Sequence, residues 1–265
     1  MKKYLVIGNP INHSLSPKLH NFWIKKNNID AIYDKKKIDI KDLKQTIFKI
    51  KDNRIHGINV TIPFKNAVIP FLDFLSPEAE ATQSVNTIYL NGKKIMGHNT
   101  DIAGFELSLK KLKYDINNKK VLILGAGGVV PSIIFALYRM GASTVTVSNR
   151  TNKKAVNLKK IFKDLLVTEW GNVPNFDVVI NATSVGLNKD DKINLDFSKF
   201  NNNKLFYDVI YNPEETNFLK QGKMLGNLTE NGKMMFIYQA HQAFTIWHNL
   251  MPEINDEVIK VLNND

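Results

Sequence analysis

The stretch KKVLILGAGGVVPSIIFALYRMGASTVTVSNRT, residues 119–151, decides the fold of the second half of the chain. Residues 119–124 are an apolar run typical of a buried strand, and they lead directly into a glycine turn. A helix is predicted over 131–140, and a second strand over 144–148. Strand, glycine turn, helix and strand in this order form one half of a doubly wound nucleotide-binding domain.

The details of this unit predict which nucleotide it binds. Gly125 and Gly127 match the first two glycines of the dinucleotide fingerprint, whereas Val130 stands where Gly or Ala is usual. Sites for NAD place an acidic residue at the end of the second strand, but this chain has Asn149 and Arg150 there. A guanidinium can hold a 2′-phosphate with two hydrogen bonds, which favours NADP. A solvated basic helix start is the plainer alternative.

The doubly wound pattern continues beyond this unit. Residues 158–162 are predicted to be helical, and residues 177–186 and 204–211 are strand-like runs whose carboxyl ends should face the nucleotide. An apolar helix is predicted over 234–247, and an amphipathic helix over 257–262.

The first hundred residues predict a β-α-β unit that ends in a hairpin. Strands are expected at 4–8, 31–33 and 57–62, and Asn-Gly at 91–92 between two apolar runs is a strong hairpin signal. Residues 64–75 are predicted to be helical.

Helix signals in this half are interrupted by prolines. Pro70 lies inside the predicted helix of residues 64–75, and Ser76 followed by Pro77 predicts the start of another helix. The strand of residues 57–62 meets Pro63, which cannot donate to a sheet. Lys65 then stands just past a strand end, where α/β proteins place ligands. A solvated lysine is the alternative.

Two hydroxyls and one carboxylate stand at predicted helix starts. Ser16 before Pro17 indicates a helix N-cap, with Ser14 in the preceding turn. Free N–H groups and the helix dipole favour an anion there, and a carboxylate is the natural guest. Simple capping for Ser16 and a local turn bond for Ser14 are the alternatives. Asp101 either caps its helix or pairs with a cation from another loop.

Composition excludes several classes of protein. The chain has 265 residues, a net charge of +11 and no cysteine, so disulfides and thiolate metal sites are absent. Its lysines are scattered, without a nucleic-acid-binding motif, and its six histidines show no metal-ligand spacing. No apolar run reaches the roughly 18 residues of a membrane span. We therefore predict a cytoplasmic protein without metal, nucleic-acid or membrane partners.

These motifs resemble those of the shikimate dehydrogenase family, in the family's order and over essentially the whole chain. The segments that carry the resemblance are NHSLSP at 12–17, HN at 20–21, NVTIPFK at 59–65, VNT at 85–87, NTD at 99–101, GAGG at 125–128, NRT at 149–151, NATS at 181–184 and QA at 239–240.

The resemblance implies an α/β protein of two domains with the active site in the cleft between them. Residues 1–101 plus 238–265 would form the substrate-binding and catalytic domain, and residues 102–237 an NADP-binding Rossmann domain with a doubly wound parallel sheet. Lys65 and Asp101 would be the catalytic pair. The substrate-binding residues would be Ser14, Ser16, Asn59, Thr61, Lys65, Asn86, Asp101, Tyr211 and Gln239. The cofactor-binding residues would be Gly125, Ala126, Gly127, Gly128, Val129, Asn149, Arg150, Thr151, Lys154, Thr183, Val209 and Gly232.

The implied reaction is the reversible NADPH-dependent reduction of 3-dehydroshikimate to shikimate, in the shikimate pathway of aromatic amino acid biosynthesis. The alternatives are a quinate/shikimate dehydrogenase of broader cofactor use and a non-catalytic nucleotide-binding regulator on the same fold. A monomer or a homodimer is expected. Val130, Ile102 and Val209 depart from the usual family residues without removing a catalytic group.

Overall fold

A computed structural model describes residues 1–200 and 202–263 of the chain. It divides into two compact units, Met1–Gly104 with Ile237–Asp265, and Phe105–Phe236. Each unit contains one six-stranded sheet. Within the described residues, no helix has the length and apolarity to cross a bilayer.

The strands, in chain order, are β1 (Lys2–Gly8), β2 (Ala31–Lys37), β3 (Gly57–Val60), β4 (Phe74–Leu75), β5 (Thr87–Asn91), β6 (Lys94–His98), β7 (Lys120–Leu124), β8 (Thr144–Ser148), β9 (Leu166–Thr168), β10 (Val178–Asn181), β11 (Leu205–Asp208) and β12 (Leu228–Glu230). The α-helices are α1 (Ser16–Lys26), α2 (Leu43–Phe48), α3 (Pro77–Thr82), α4 (Asp101–Leu112), α5 (Val130–Arg139), α6 (Asn152–Leu158), α7 (Asn217–Met224), α8 (Lys233–His248) and α9 (Asp256–Asn263).

The sheet of the first unit is mixed, in the order β2-β1-β3-β5-β6-β4. Strand β1 runs parallel to β2 and β3, and β5 is antiparallel to β3 and β6. The β5–β6 hairpin confirms the Asn-Gly prediction, and its turn places Gly92 at φ +59°. Ser76 caps α3 as predicted, because its side chain accepts from the N–H of Ala79 at 3.2 Å.

The sheet of the second unit is parallel throughout, in the order β12-β11-β10-β7-β8-β9. Counted within the unit, this is the doubly wound order 3-2-1-4-5-6, which confirms the predicted Rossmann-type fold. The order reverses between β7 and β10, so the crevice beyond their carboxyl ends is the expected ligand site. The glycine turn follows β7 at this edge.

The predicted helix over 64–75 is wrong. That segment holds only a 3-10 turn, Ile69–Phe71, followed by β4, which pairs in parallel with β6. Pro63 and Pro70 break the helical hydrogen-bond pattern, and sheet pairing satisfies the backbone that follows.

Three other predicted boundaries are corrected. Strand β3 ends at Val60 rather than 62, and the helix expected over 158–162 is α6, which ends where that prediction began. Leu158 and Phe162 are both buried, which produced the apolar spacing, but Phe162 lies beyond the end of the helix. Strand β2 is longer than residues 31–33 because pairing with β1 extends it to Lys37.

Some elements were not predicted at all. They are β9, α7 and β12, which are short or weakly patterned and are ordered by packing on the parallel sheet.

Candidate active site

Lys65 is held in place by its neighbours just beyond β3. The N–H of Phe64 donates to the carbonyl of Thr61 at 2.9 Å, which closes a turn, and the Phe64 ring is buried in the core of the first unit. The carbonyl of Lys65 accepts from the N–H of Val85 at 2.8 Å. Lys65 itself is buried, with 9% of its surface exposed, so the solvated alternative is wrong.

The side chains of Lys65 and Asp101 form a buried ion pair. Nζ of Lys65 lies 2.6 Å from Oδ2 of Asp101, and the side chains are 10% and 8% exposed. Asp101 is the first residue of α4, and its N–H donates to Oδ1 of Asn99 at 3.1 Å. The carboxylate of Asp101 therefore pairs with a cation from another loop, which was one of the two roles that the sequence allowed for it. A desolvated charge-assisted bond of this kind is short and fixed in direction.

Asn86 binds the other side of the same carboxylate. Its Nδ2 donates to Oδ1 of Asp101 at 2.9 Å and to Oγ1 of Thr100 at 2.8 Å. Its Oδ1 accepts from the N–H of Thr100 at 2.8 Å. Oε1 of Gln239, on α8, lies 3.5 Å from Nδ2 of Asn86. The first unit thus brings four of the predicted substrate residues together: Lys65, Asn86, Asp101 and Gln239.

Asn59 is also in this cluster, but its amide contacts other protein groups. Its Nδ2 donates to the carbonyl of Asn86 at 3.0 Å and to Oγ1 of Thr87 at 3.1 Å. Its Oδ1 accepts from the hydroxyl of Tyr33 at 2.6 Å. Both amide hydrogens are used, so a ligand contact by Asn59 is limited to the second lone pair of Oδ1.

The segment that carries Ser14 and Ser16 differs from its prediction in the residue that caps the helix. Helix α1 begins at Ser16 itself, and the cap position is Leu15, which makes no side-chain cap bond. Ser14 forms the local turn bond instead, since its Oγ accepts from the N–H of Ser16 at 3.3 Å. The hydroxyl of Ser16 is therefore not used as the helix cap. The two serines still lie at a helix N-terminus, where an anion is favoured.

Thr61, also predicted to bind substrate, lies half-buried after β3, with its methyl group against Gly8.

In the second unit, the glycine turn after β7 packs closely against the segment that follows β10. Gly125 has φ +112°, and a Cβ added there would lie 2.8 Å from the carbonyl oxygen of Ala182. Val130, the departure from the fingerprint, is fully buried as the first residue of α5. The turn residues Ala126, Gly127, Gly128 and Val129 link β7 to this helix.

Exposed bases follow β8, as predicted. Nδ2 of Asn149 donates to the carbonyl of Thr151 at 2.8 Å, which folds the chain into α6. Arg150, Thr151 and Lys154 are exposed there. The positive side chains lie at the strand end where an acidic residue would bind an unphosphorylated ribose.

A buried carboxylate that the sequence analysis passed over organises the loops after β10 and β11. Asp208 accepts from Nδ2 of Asn181 at 3.0 Å, from Oγ1 of Thr216 at 2.6 Å and from the N–H of Ile210 at 3.0 Å. Burial raises the pKa of Asp208 to about 6, while these donors act in the opposite direction. Asn181 in turn accepts from the hydroxyl of Thr183 at 2.7 Å.

The loops after β11 and β12 hold the remaining predicted residues. A Cβ on Gly232 would lie 2.1 Å from the carbonyl oxygen of Val209, so only glycine fits. The N–H of Gly232 donates to the carbonyl of Ile210 at 3.0 Å. Tyr211 stacks on Phe236 with ring centroids 4.4 Å apart.

Comparison with known proteins now identifies the family. The family profile described as "Shikimate dehydrogenase substrate binding domain" matches residues 6–88, and the one described as "Shikimate / quinate 5-dehydrogenase" matches residues 106–209. A shikimate dehydrogenase (NADP(+)) of Pelagibacter ubique is 56% identical over 262 residues, which cover 99% of both chains. This chain belongs to the shikimate dehydrogenase family.

Solved shikimate dehydrogenases share the fold over the full length. The crystal structure from Aquifex aeolicus has a TM-score of 0.90 at 35% identity, and the match covers 100% of this chain and 98% of that one. The structure from Thermus thermophilus, in complex with NADP(H) and shikimate, has a TM-score of 0.89 at 30% identity and 99% coverage of both chains.

Sequence reasoning missed several buried polar residues that hold the predicted site residues, or their neighbours, in place within each unit. They are Tyr33, Thr87, Asn99 and Thr100 in the first unit and Asp208 in the second. Thr87, Asn99 and Thr100 adjoin predicted site residues in the motifs VNT and NTD, which was a usable signal. Tyr33 gave no signal, because its hydrogen-bond partner Asn59 is distant in the chain.

Proposed function

We propose that this chain catalyses the reversible NADPH-dependent reduction of 3-dehydroshikimate to shikimate, in the pathway to the aromatic amino acids. The observation that carries the proposal is the buried pair of Lys65 and Asp101, with 2.6 Å between Nζ and Oδ2. Family membership and the NADP(+) activity named for the Pelagibacter ubique relative support it.

The residues of the first unit suit a small polyhydroxylated acid. Ser14 and Ser16 at the start of α1 are proposed to hold the substrate carboxylate. Asn59, Thr61, Asn86 and Gln239, with Tyr211 of the second unit, are proposed to complete substrate binding. A site that hydrogen-bonds several hydroxyls rejects analogues that lack one, by about 10⁴-fold at a well-buried contact.

The proposed chemistry centres on Nζ of Lys65. Reduction of a ketone builds negative charge on its oxygen, and an ammonium within hydrogen-bond reach stabilises that charge and donates the proton. Asp101 directs the ammonium, because it fixes one of its hydrogen bonds and is itself held by Asn86. In the reverse direction Lys65, in its neutral form, accepts the proton of the substrate hydroxyl.

The second unit fits the cofactor on two observations. A Cβ added at Gly127 would meet no atom closer than 3.9 Å, so the glycine leaves the turn open there to a close-approaching group such as a pyrophosphate. Exposed Arg150 and Lys154 follow β8, where they suit a 2′-phosphate. NADPH, when bound, supplies the hydride. Gly125 to Val129 are proposed to hold its pyrophosphate, Asn149 to Lys154 its adenosine end, and Thr183, Val209 and Gly232 its nicotinamide end.

A direct assay tests the proposal. Purified protein is mixed with shikimate or quinate and with NADP or NAD, and the absorbance of the reduced cofactor is followed. We expect the highest kcat/KM with shikimate and NADP. The absence of turnover with that pair would contradict the proposal and favour a non-catalytic nucleotide-binding regulator.

The same assay distinguishes the broader enzyme. Comparable kcat/KM values for quinate, or for NAD, would indicate a quinate/shikimate dehydrogenase of wider cofactor use. A cytoplasmic location and a monomeric or homodimeric state stay predictions from the sequence.

A further inference from the structure

Thr87 places a hydroxyl between the two asparagines of the cluster around the ion pair. It lies on β5 opposite Asn59 of β3, and it is fully buried. Its Oγ1 lies 3.1 Å from Nδ2 of Asn59 and 3.1 Å from Oδ1 of Asn86. The proposed function gives this hydroxyl no role, although Asn59 and Asn86 are both proposed to bind substrate.

The directions of these hydrogen bonds follow from the chemistry of the groups. The Asn59 amide cannot be reversed, because its Nδ2 also donates to the carbonyl of Asn86 at 3.0 Å, and reversal would place two oxygens there. Oγ1 of Thr87 is therefore an acceptor toward Asn59. Its own proton is left for two neighbours, Oδ1 of Asn86 at 3.1 Å and Oγ1 of Thr100 at 3.3 Å. The amide oxygen of Asn86 is the nearer of the two and only accepts, so it takes the proton.

The Asn86 amide has to keep one orientation to hold Asp101. Its Nδ2 donates to Oδ1 of Asp101 at 2.9 Å, and its Oδ1 accepts from the N–H of Thr100 at 2.8 Å. A half-turn of the amide would bring its oxygen against the carboxylate, where two acceptors repel each other. The proton of Thr87 therefore adds to the N–H of Thr100 in keeping Nδ2 toward Asp101.

Burial makes the loss of any of these hydrogen bonds costly. Asn59, Asn86 and Thr100 are 7%, 3% and 1% exposed, so water is kept from most of their surface. A buried donor or acceptor that loses its partner stays unsatisfied, and the neighbouring groups shift to compensate. The orientation of Asn86 therefore depends on the full set of donors around it.

We propose that Thr87 is a positioning residue whose hydroxyl fixes the Asn86 amide and, through it, the Asp101 carboxylate that directs Lys65. The proposal rests on the proposed function, because it assumes that Lys65 transfers the proton. A carboxylate held on Oδ1 by Asn86 presents Oδ2 to Nζ of Lys65 at 2.6 Å. Thr87 acts on this geometry through Asn86 and not on the substrate.

The first test separates the hydroxyl of Thr87 from its bulk. Thr87→Val keeps the size of the side chain but removes the hydroxyl, whereas Thr87→Ser keeps the hydroxyl but removes the methyl group. Thr46→Val is the matched control, because Thr46 is 3% exposed in the same unit, on α2, which packs Leu43 and Ile47 into the core. The rate of NADP reduction by saturating shikimate is measured in a single turnover, well below the melting temperature of each variant.

We expect Thr87→Val to lower this rate about tenfold, as for loss of a buried hydrogen bond that leaves a donor unsatisfied. Thr87→Ser should stay within about twofold of the parent, and Thr46→Val should keep the parent rate. KM for NADP, from steady-state kinetics, should be unchanged in all three variants. A merely structural role of Thr87 predicts lower melting temperatures without this split between the valine and serine variants.

The second test asks whether Thr87 acts through Asn86. In the Asn86→Ala protein the amide is absent, so adding Thr87→Val should lower the single-turnover rate by no more than about twofold. A role independent of Asn86 predicts a further loss of about tenfold, the same as in the parent background.

Three results would overturn the positioning role. They are a parent rate for Thr87→Val, equal losses for Thr87→Val and Thr87→Ser, and independent losses in the Asn86→Ala background. Any of them with an active parent rejects the positioning role alone, whereas an inactive parent rejects the proposed function and this role with it. If Thr87→Val does not fold, Thr87→Ala takes its place, since it adds no methyl group beside the polar neighbours, and its rate relative to Thr87→Ser is judged by the same criteria.

Discussion

Asp101 in the first unit and Asp208 in the second are both buried carboxylates, but their partners differ in charge. Asp101 pairs with the ammonium of Lys65 and accepts one amide bond from Asn86. The donors that hold Asp208 are neutral: the amide of Asn181, the hydroxyl of Thr216 and the N–H of Ile210.

This difference in partners suits Asp101 to take part in chemistry and Asp208 to hold loops in place. Neutral donors do not offset the burial of Asp208, and its pKa is raised to about 6. Its bonds tie the ends of β10 and β11 together. Asp101, by contrast, lies beside a proton donor, Lys65. The ammonium of Lys65 has three N–H groups, and the bond to Asp101 uses only one of them. The pair can therefore direct a proton toward a substrate.

The largest expected effect comes from breaking the charged site. Lys65→Ala should lower kcat at least about 10²-fold, on the scale of a general acid–base group, with a modest change in KM for shikimate. It should also destabilise the protein by about 3–5 kcal/mol, because Asp101 is left buried without its counter-charge. Single-turnover kinetics and thermal unfolding measure the two losses. A near-normal kcat would mean that Lys65 only binds substrate.

At Asp208, whose hydrogen-bond donors are neutral, we expect the contribution to stability to depend on pH. The folded-state pKa of Asp208, about 6, lies above the ordinary value of 3.8, so the folded protein binds this proton more tightly. The contribution of Asp208 to stability is therefore fully present below pH 3.8 and is lost as pH rises through about 6.

Asp208→Asn should remove this dependence. We expect the stability of the parent relative to the variant to grow, by up to about 3 kcal/mol, as pH falls from about 8 to about 4. Urea unfolding of both proteins across that range measures it. A difference that is constant with pH would show that Asp208 does not titrate in this window.

The smallest effect is expected at the exposed charges after β8. Arg150→Ala should raise KM for NADP about tenfold, as for loss of a charge-assisted bond, while KM for NAD changes little. Lys153→Ala, one of the other exposed bases of this segment, serves as the matched charge control. Equal effects of Arg150→Ala on both cofactors would refute a 2′-phosphate contact.

Structural features that depend on a few consecutive residues of the sequence were predicted correctly. The glycine turn with its flanking strands, the Asn-Gly hairpin and the Ser76 cap depend on local backbone preference, and each is present. Residues 64–75 failed for the opposite reason. Their apolar content indicates a helix, but pairing of Phe74–Leu75 with β6 outweighs that pattern.

The candidate site shows the same division. The sequence picked out Lys65, Asp101 and Asn86, but the serine turn was assigned the wrong cap, since Leu15 occupies that position. The hydrogen bond from the Tyr33 hydroxyl to Asn59 was not predicted either. No local pattern contains that information, because residues 33 and 59 meet only when β2 and β3 both pair with β1.

By itself, the sequence determined the parallel nucleotide-binding unit, the hairpin and the identity of the candidate catalytic pair, because each has a local or motif-level signature. Only the tertiary structure decided that Lys65 is buried against Asp101, that Asn59 uses its amide inside the protein, and that Tyr33 and Asp208 support the two sites. The physical reason is that a buried polar group must find its partner wherever the fold supplies one. For these residues the partner is distant in the chain.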